Sequence, residues 1–251
     1  MITGADLPHT DQLSTPGTWP FRLAQPLVRV ALRTYWRVQV HDLTYLPADG
    51  PVVLAVNHLG VLDGPLLAAV TPRTSFALVK KEMYDGPLGW LLTQFGQIPI
   101  DRHAVDPTAI RRSVKVLRDG GVLAVFPEGV RGLGDVRRAR GGAVYLAMVT
   151  GAPIVPVALL GTREPGHSTD DLPRRGAPVH VVYGPPIRVP RLAWPRPRTL
   201  VAQHTEQLRR TLADHVVGAQ RRTGLILPGP PGPKAARKFK TTGPSEHSRA
   251  T

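Results

Sequence analysis

The chain has 251 residues, a hydrophobic content of 42% and no cysteine. That length supports one sizeable α/β domain with its own core, and the lack of cysteine excludes disulfides, thiolate nucleophiles and cysteine-ligated zinc. A net charge of +14 directs attention to polyanions and anionic membrane surfaces as partners.

Residues 1–18 carry Pro, Thr, Gly and Asp without periodicity and are expected to form a mobile tail. They lack the basic region and apolar core of a signal peptide, and no apolar run in the chain reaches the ~18 to 20 residues of a membrane span. Residues 20–37 differ. At ~100° per residue Arg22, Arg29, Arg33 and Arg37 fall within about 80° of one another, while Leu27, Val28, Val30, Ala31, Leu32, Tyr35 and Val38 cover the rest. This predicts an N-terminal amphipathic helix, regular from Pro26 to Trp36 because proline suits a first turn. With Trp19 and Trp36 near its ends, two readings stand together: an interfacial membrane helix, and a core-packed helix with solvated arginines.

Residues 41–46 read as a strand and residues 47–50, Pro-Ala-Asp-Gly, as a turn. The apolar run Val52, Val53, Leu54, Ala55, Val56 is a buried strand, and an apolar helix begins near Pro65. Between them lies Asn57-His58-Leu59-Gly60-Val61-Leu62-Asp63. A His at a strand end with an Asp five residues on forms a general-base pair: the imidazole takes a proton, and the carboxylate fixes its tautomer. Five helical residues rotate by about 140°, so pairing requires His58 on the turn and Asp63 on the helix, with Gly60 and Gly64 easing the bend. Asn57 is expected to satisfy backbone groups of the turn.

Residues 75–79 are a further strand. Leu88, Trp90, Leu91, Leu92 and Phe95 form an apolar patch, read as core packing ahead of membrane or acyl-chain contact. Ile98-Pro99-Ile100 is a short strand whose proline disfavours a central position, followed by Asp101-Arg102. Asp106-Pro107 opens a helix as N-cap and first residue, and Gly120-Gly121 stops it. Residues 122–126 are a strand leading into Phe126-Pro127-Glu128-Gly129-Val130-Arg131. Residues 141–149 form a helix stopped by Gly151, residues 154–160 and 179–183 are strands, and residues 198–217 are the last helix. From 219 the Pro/Gly-rich run and the basic end are expected to be disordered. The alternation of strands and helices predicts a single α/β domain over 19–218, with a mixed, mostly parallel central sheet flanked by helices.

His58 to Asp63, Gly96 to Arg102, Phe126 to Arg131 and Ile154 to Val157 together resemble the four ordered blocks of the glycerolipid acyltransferase family. The resemblance spans about residues 35 to 190. It implies transfer of a fatty acyl group from a thioester to an alcohol, with His58 as base and Asp63 as its partner. It also implies that Arg102, Glu128, Gly129 and Arg131 shape an acceptor site for a phosphate-bearing lysolipid. Arginine suits bidentate phosphate contact, and Gly129 permits close backbone approach. Val130 and Gly132 depart from the pattern, which commonly has Thr and a small polar residue there; the departure bears on acceptor identity more than on acyl transfer.

The leading expectation is acylation of 1-acyl-glycerol 3-phosphate to phosphatidate at the cytoplasmic face of the cell membrane, by a peripheral enzyme. The donor is acyl-CoA or acyl carrier protein, and no metal or other cofactor is expected. Glycerol 3-phosphate or another lysolipid or glycolipid is the alternative acceptor. A nucleic-acid-binding protein is a rival from a different class. Of the +14, the end from 234 supplies +4, five basic residues less Glu246, and the remaining +10 carries no nucleic-acid motif. An inactive membrane-bound relative is the third reading, and intact His58 and Asp63 argue against it.

Overall fold

The computed structural model describes residues 8–15, 17, 19–101 and 104–233. Within them seven strands form one sheet: β1 (Arg37–His41), β2 (Val52–Val56), β3 (Ser75–Lys80), β4 (Ile98–Ile100), β5 (Val122–Val125), β6 (Ile154–Leu160) and β7 (Pro178–Tyr183). Their order is β1-β7-β6-β2-β5-β3-β4. The stretch from β6 to β4 is parallel; β7 runs antiparallel to β6, and β1 parallel to β7. The sheet is thus mixed and mostly parallel, in a single α/β domain. β2, β5 and β6 lie in its middle and are buried along their whole length, which is why their sequences are unbroken apolar runs rather than alternating ones. Pro99 sits on the edge strand β4, where a missing N–H costs nothing.

Among the described residues six helices flank the sheet: α1 (Trp19–Tyr35), α2 (Asp63–Val70), α3 (Pro87–Gln94), α4 (Pro107–Arg118), α5 (Gly142–Thr150) and α6 (Arg198–Thr223). Side chains of α4, α5 and α6 join one face of the sheet in one core cluster, and α2 with Trp36 covers the other face. The start of α4 is as the sequence predicts: the Asp106 carboxylate accepts from the Ala109 N–H at 2.9 Å, with Pro107 in the first turn.

Several expectations are corrected. The helix of 20–37 is a helix of 19–35. It runs through Pro26, and Arg37 opens β1, so Arg37 leaves the basic stripe. The strand expected at 41–46 lies at 37–41. Asp42 then takes a left-handed backbone conformation, and residues Leu43–Tyr45 make a 3₁₀ turn. Trp36 is buried, with its indole N–H donating to the Pro173 carbonyl at 3.0 Å; it is no interfacial anchor. Arg29 is not simply solvated. It donates to the Ala69 carbonyl, as Gln25 does to those of Ala68 and Thr71. α1 therefore caps the carbonyl end of α2, a helix terminus that otherwise leaves acceptors unpaired.

The patch at 88–95 is helix α3, and Trp90 stands 68% exposed with Leu88 and Leu91 also open, against the core reading. Phe95 lies edge-on to Phe21 of α1 with ring centroids 5.3 Å apart. Residues 8–15 lie along α4, where Arg118 donates to the Pro8 carbonyl and the Thr10 hydroxyl. At the other end, α6 continues to Thr223, and the segment expected to be disordered from 219 is placed as far as Pro233. Leu225 and Leu227 pack on the core and Pro228 is buried. Proline and glycine prevent helix or strand there, but not packing as a fixed loop. The basic end from 234 lies outside the described residues.

Candidate active site

β2 and β6 are parallel neighbours, so their carboxyl ends and the loops that leave them meet at one edge of the sheet. Open α/β sheets gather ligands at such strand ends. β2 ends at Val56, and Asn57 is tied at once to β6. Its amide donates to the Leu159 carbonyl at 3.0 Å and accepts from the Leu159 N–H at 2.7 Å. This continues the ladder through a side chain and frees the backbone to turn. His58 follows on the turn, and Asp63 is the first residue of α2. The geometry required for pairing is met: His58 Nδ1 lies 2.7 Å from Asp63 Oδ2.

Asp63 is wholly buried. Its Oδ2 also accepts from the N–H groups of Leu59 and Gly60 at 2.7 and 2.9 Å, and its Oδ1 accepts from the Thr162 hydroxyl at 2.5 Å. A carboxylate accepting this many bonds is fixed in orientation. With Nδ1 donating to Asp63, Nε2 is the nitrogen left for a reactant. The His58 ring stacks on Phe126, with centroids 4.1 Å apart, and keeps 8% of its side-chain surface open. Two hollows, of about 380 and 280 Å³, lie elsewhere, along α6 and between α6 and the end of β7.

The loop after β5 closes the other side. Glu128 Oε1 accepts from the His58 backbone N–H at 2.8 Å, and the Gly132 N–H donates to the His58 carbonyl at 2.9 Å. Burial above all pushes the Glu128 carboxyl up to about 7, the charges of Asp135 and Asp63 adding to it against bonds from the His58 and Val136 N–H groups. Gly129 has φ +72°, and a Cβ there would meet Arg140 Nε at 2.7 Å. Only glycine fits this turn with Arg140 laid across it. Arg131 donates to Asp170 at 2.7 Å and reaches the Met83 sulfur at 3.9 Å.

Of the site residues expected from the sequence, His58, Asp63 and Glu128 are joined by hydrogen bonds, and Gly129 and Arg131 occupy the same loop. Arg102 lies outside the described residues; its neighbour Asp101 pairs with Lys81 at 2.6 Å. Among the described residues no cluster of His, Cys, Asp or Glu has metal-site geometry.

Sequence reasoning missed Thr162 and Arg163. Both are buried, on the loop leaving β6. The one available signal was their position just after a central strand of a parallel sheet, where polar residues face the strand-end crevice.

The family model described as Acyltransferase matches residues 37–160. The 1-acyl-sn-glycerol-3-phosphate acyltransferase of Bacillus subtilis is 28% identical over 77% of this chain and 96% of its own length. A chloroplastic 1-acyl-sn-glycerol-3-phosphate acyltransferase of Brassica napus is 28% identical over 56% of this chain and 42% of its own. The crystal structure of the 1-acyl-sn-glycerophosphate acyltransferase of Thermotoga maritima shares the fold, with a TM-score of 0.62 at 20% identity over 79% of each chain. Fold and sequence together place this chain among the enzymes that move acyl groups to oxygen. The matched family model and these relatives support the glycerolipid acyltransferase family, the one its four ordered motifs resemble.

Proposed function

We propose that this enzyme transfers a fatty acyl group from a thioester to the free hydroxyl of 1-acyl-glycerol 3-phosphate, forming phosphatidate. The observation that carries the mechanism is the His58–Asp63 pair at the end of β2, 2.7 Å between nitrogen and oxygen. An alcohol is a poor nucleophile at neutral pH, so its proton must leave as the new bond forms. Nε2 of His58 takes that proton while the hydroxyl oxygen attacks the thioester carbonyl. Asp63 stabilises the imidazolium, the C–S bond breaks, and the imidazolium returns the proton to the departing thiolate. Arg131 attracts the acceptor phosphate, Gly129 lets backbone approach it, and Glu128 holds the turn beneath His58. Direct attack requires no acyl-enzyme, in keeping with the lack of cysteine. The donor is acyl-CoA or acyl carrier protein; no metal or other cofactor is invoked.

The same reading places the enzyme peripherally on an anionic membrane, the cytoplasmic face being the anionic one. No helix among the described residues is long and apolar enough to cross a bilayer. α1 buries Phe21 and Gln25, yet its opposite side exposes Trp19, Leu23, Leu27 and Val30 by 63 to 75%. Arg22 and Arg33 flank that stripe, and α3 likewise exposes Trp90 and Leu88. Exposed apolar area rimmed by arginine suits the lipid headgroup boundary. A panel of acceptors offered with one labelled acyl thioester, read by product mass, tests the substrate assignment. Label in phosphatidate from 1-acyl-glycerol 3-phosphate is expected. Label only in a product from glycerol 3-phosphate or a phosphate-free acceptor would replace it.

A further inference from the structure

Arg163 is 2% exposed. Its guanidinium is spent on four backbone carbonyls from four separate segments. Nε donates to Leu59 at 3.1 Å, Nη1 to His167 at 3.2 Å, and Nη2 to Gly132 at 2.9 Å and Gly229 at 2.7 Å. Leu59 lies between His58 and Gly60, and its own N–H holds Asp63. Gly132 holds the His58 carbonyl. Two of the four bonds thus fix the two peptides that clamp the imidazole. The other two reach the loop after β6 and the Pro/Gly-rich segment that follows α6.

That segment is docked on the site rather than trailing from the fold. The Gly232 N–H donates to the His167 carbonyl at 2.9 Å, and a Cβ at Gly232 would lie 1.9 Å from the Gly166 carbonyl oxygen. The segment sits so close to the loop that no side chain fits at 232. Pro228 is buried one residue before the carbonyl that Arg163 grips. Burying a guanidinium is costly unless its donors are satisfied, so losing one acceptor loosens the others.

We propose that Arg163 is a positioning residue for the His58–Asp63 pair, and that residues 225–232 are a strap completing its hydrogen-bond set. Turnover therefore depends on a C-terminal segment that acts through Arg163. The proposal rests on His58 acting as base. Arg163 locks the peptides on both sides of the imidazole, and the strap locks Arg163. Lysine, with one compact ammonium, cannot span four carbonyls.

The test is the full-length double variant Gly232→Ala, Pro228→Asp, compared with Arg163→Lys and with the triple combination. In the double variant kcat should fall roughly ten- to a hundredfold, since small misplacements of a catalytic group cost this much. KM for donor and acceptor should stay within about twofold, an order-of-magnitude bound for uniform binding left intact. The downfield proton resonance of His58 Nδ1–H, shared with Asp63, should broaden or shift without any substrate present. Arg163→Lys should reproduce both changes, and the triple variant should add little, because strap and guanidinium act as one unit. Wild-type kcat with an unshifted resonance in the double variant would overturn the proposal, as would losses that multiply in the triple variant. Because the resonance is read without turnover, a failure of the base assignment itself, seen as turnover retained in His58→Ala, is told apart from a failure of the strap.

Discussion

The two halves of the site are built differently. On the His58 side the groups around the imidazole are tied by hydrogen bonds, and Nε2 is left for a reactant. Asp63 has no exposed surface and accepts four hydrogen bonds, and both backbone groups of His58 are engaged. On the Arg131 side the partners are open: Arg131 is 24% exposed and its Asp170 is 49% exposed. Water and salt screen the second pair far more than the first. The contrast supports the proposed division of labour: chemistry in the rigid half, where a fixed geometry lowers the barrier, and headgroup recognition in the half where charge can change partner. On that proposal, a phosphate arriving at Arg131 competes with the surface carboxylate of Asp170.

Variants in the two halves should therefore fail differently. Asp63→Asn should give the largest loss outside His58 itself, about 10²- to 10⁴-fold in kcat with KM little changed, because the amide cannot stabilise the imidazolium. Steady-state kinetics on folded protein checks it, and a loss confined to KM would erase the distinction between the halves. Arg131→Ala should raise KM for phosphate-bearing acceptors by about tenfold, one lost charge-assisted contact, and leave the donor KM alone. Equal rises for both substrates would remove its assigned role.

Thr162→Val leaves the buried Asp63 Oδ1 without its donor. It should lower the unfolding free energy by about 1.5 to 3 kcal/mol and slow turnover several-fold, read by urea denaturation and kinetics on the same preparation. Unchanged stability would mean that Asp63 is less tightly held than the geometry requires.

The smallest effect is expected at Glu128. Its folded-state value of about 7 stands above the ordinary 4.5, so the folded state binds the proton more tightly than the unfolded one. That stabilisation is complete below about 4.5 and is lost as pH rises through about 7. Glu128→Gln should flatten the dependence of Tm on pH across this window while keeping the acceptor for the His58 N–H. A profile identical to wild type would show that Glu128 is not the titrating group.

The difference between the halves also explains what could be read from the sequence. His58 and Asp63 are five residues apart, and a strand, a turn and a helix start are enough to bring them together. Local pattern carried that far. Thr162 and Arg163 are about a hundred residues away and act only because β6 lies beside β2, a neighbour relation that no periodicity encodes. The same limit applies at the ends. Arg37 continues a helical stripe on paper, yet pairs with Pro178 as the first residue of β1. The Pro/Gly run after α6 looked unable to pack because its partners, Arg163 and His167, are remote in sequence. Trp90 was read as core for the converse reason: an apolar helix face does not say whether protein or lipid will cover it.

The most direct test of the central claim is rapid-quench transfer of a labelled acyl group in His58→Ala beside wild type, with unchanged circular dichroism and vesicle sedimentation as controls for fold and surface binding. Loss of the transfer step by about 10³-fold or more, with substrates still bound, is the predicted result. Transfer at the wild-type rate would contradict it.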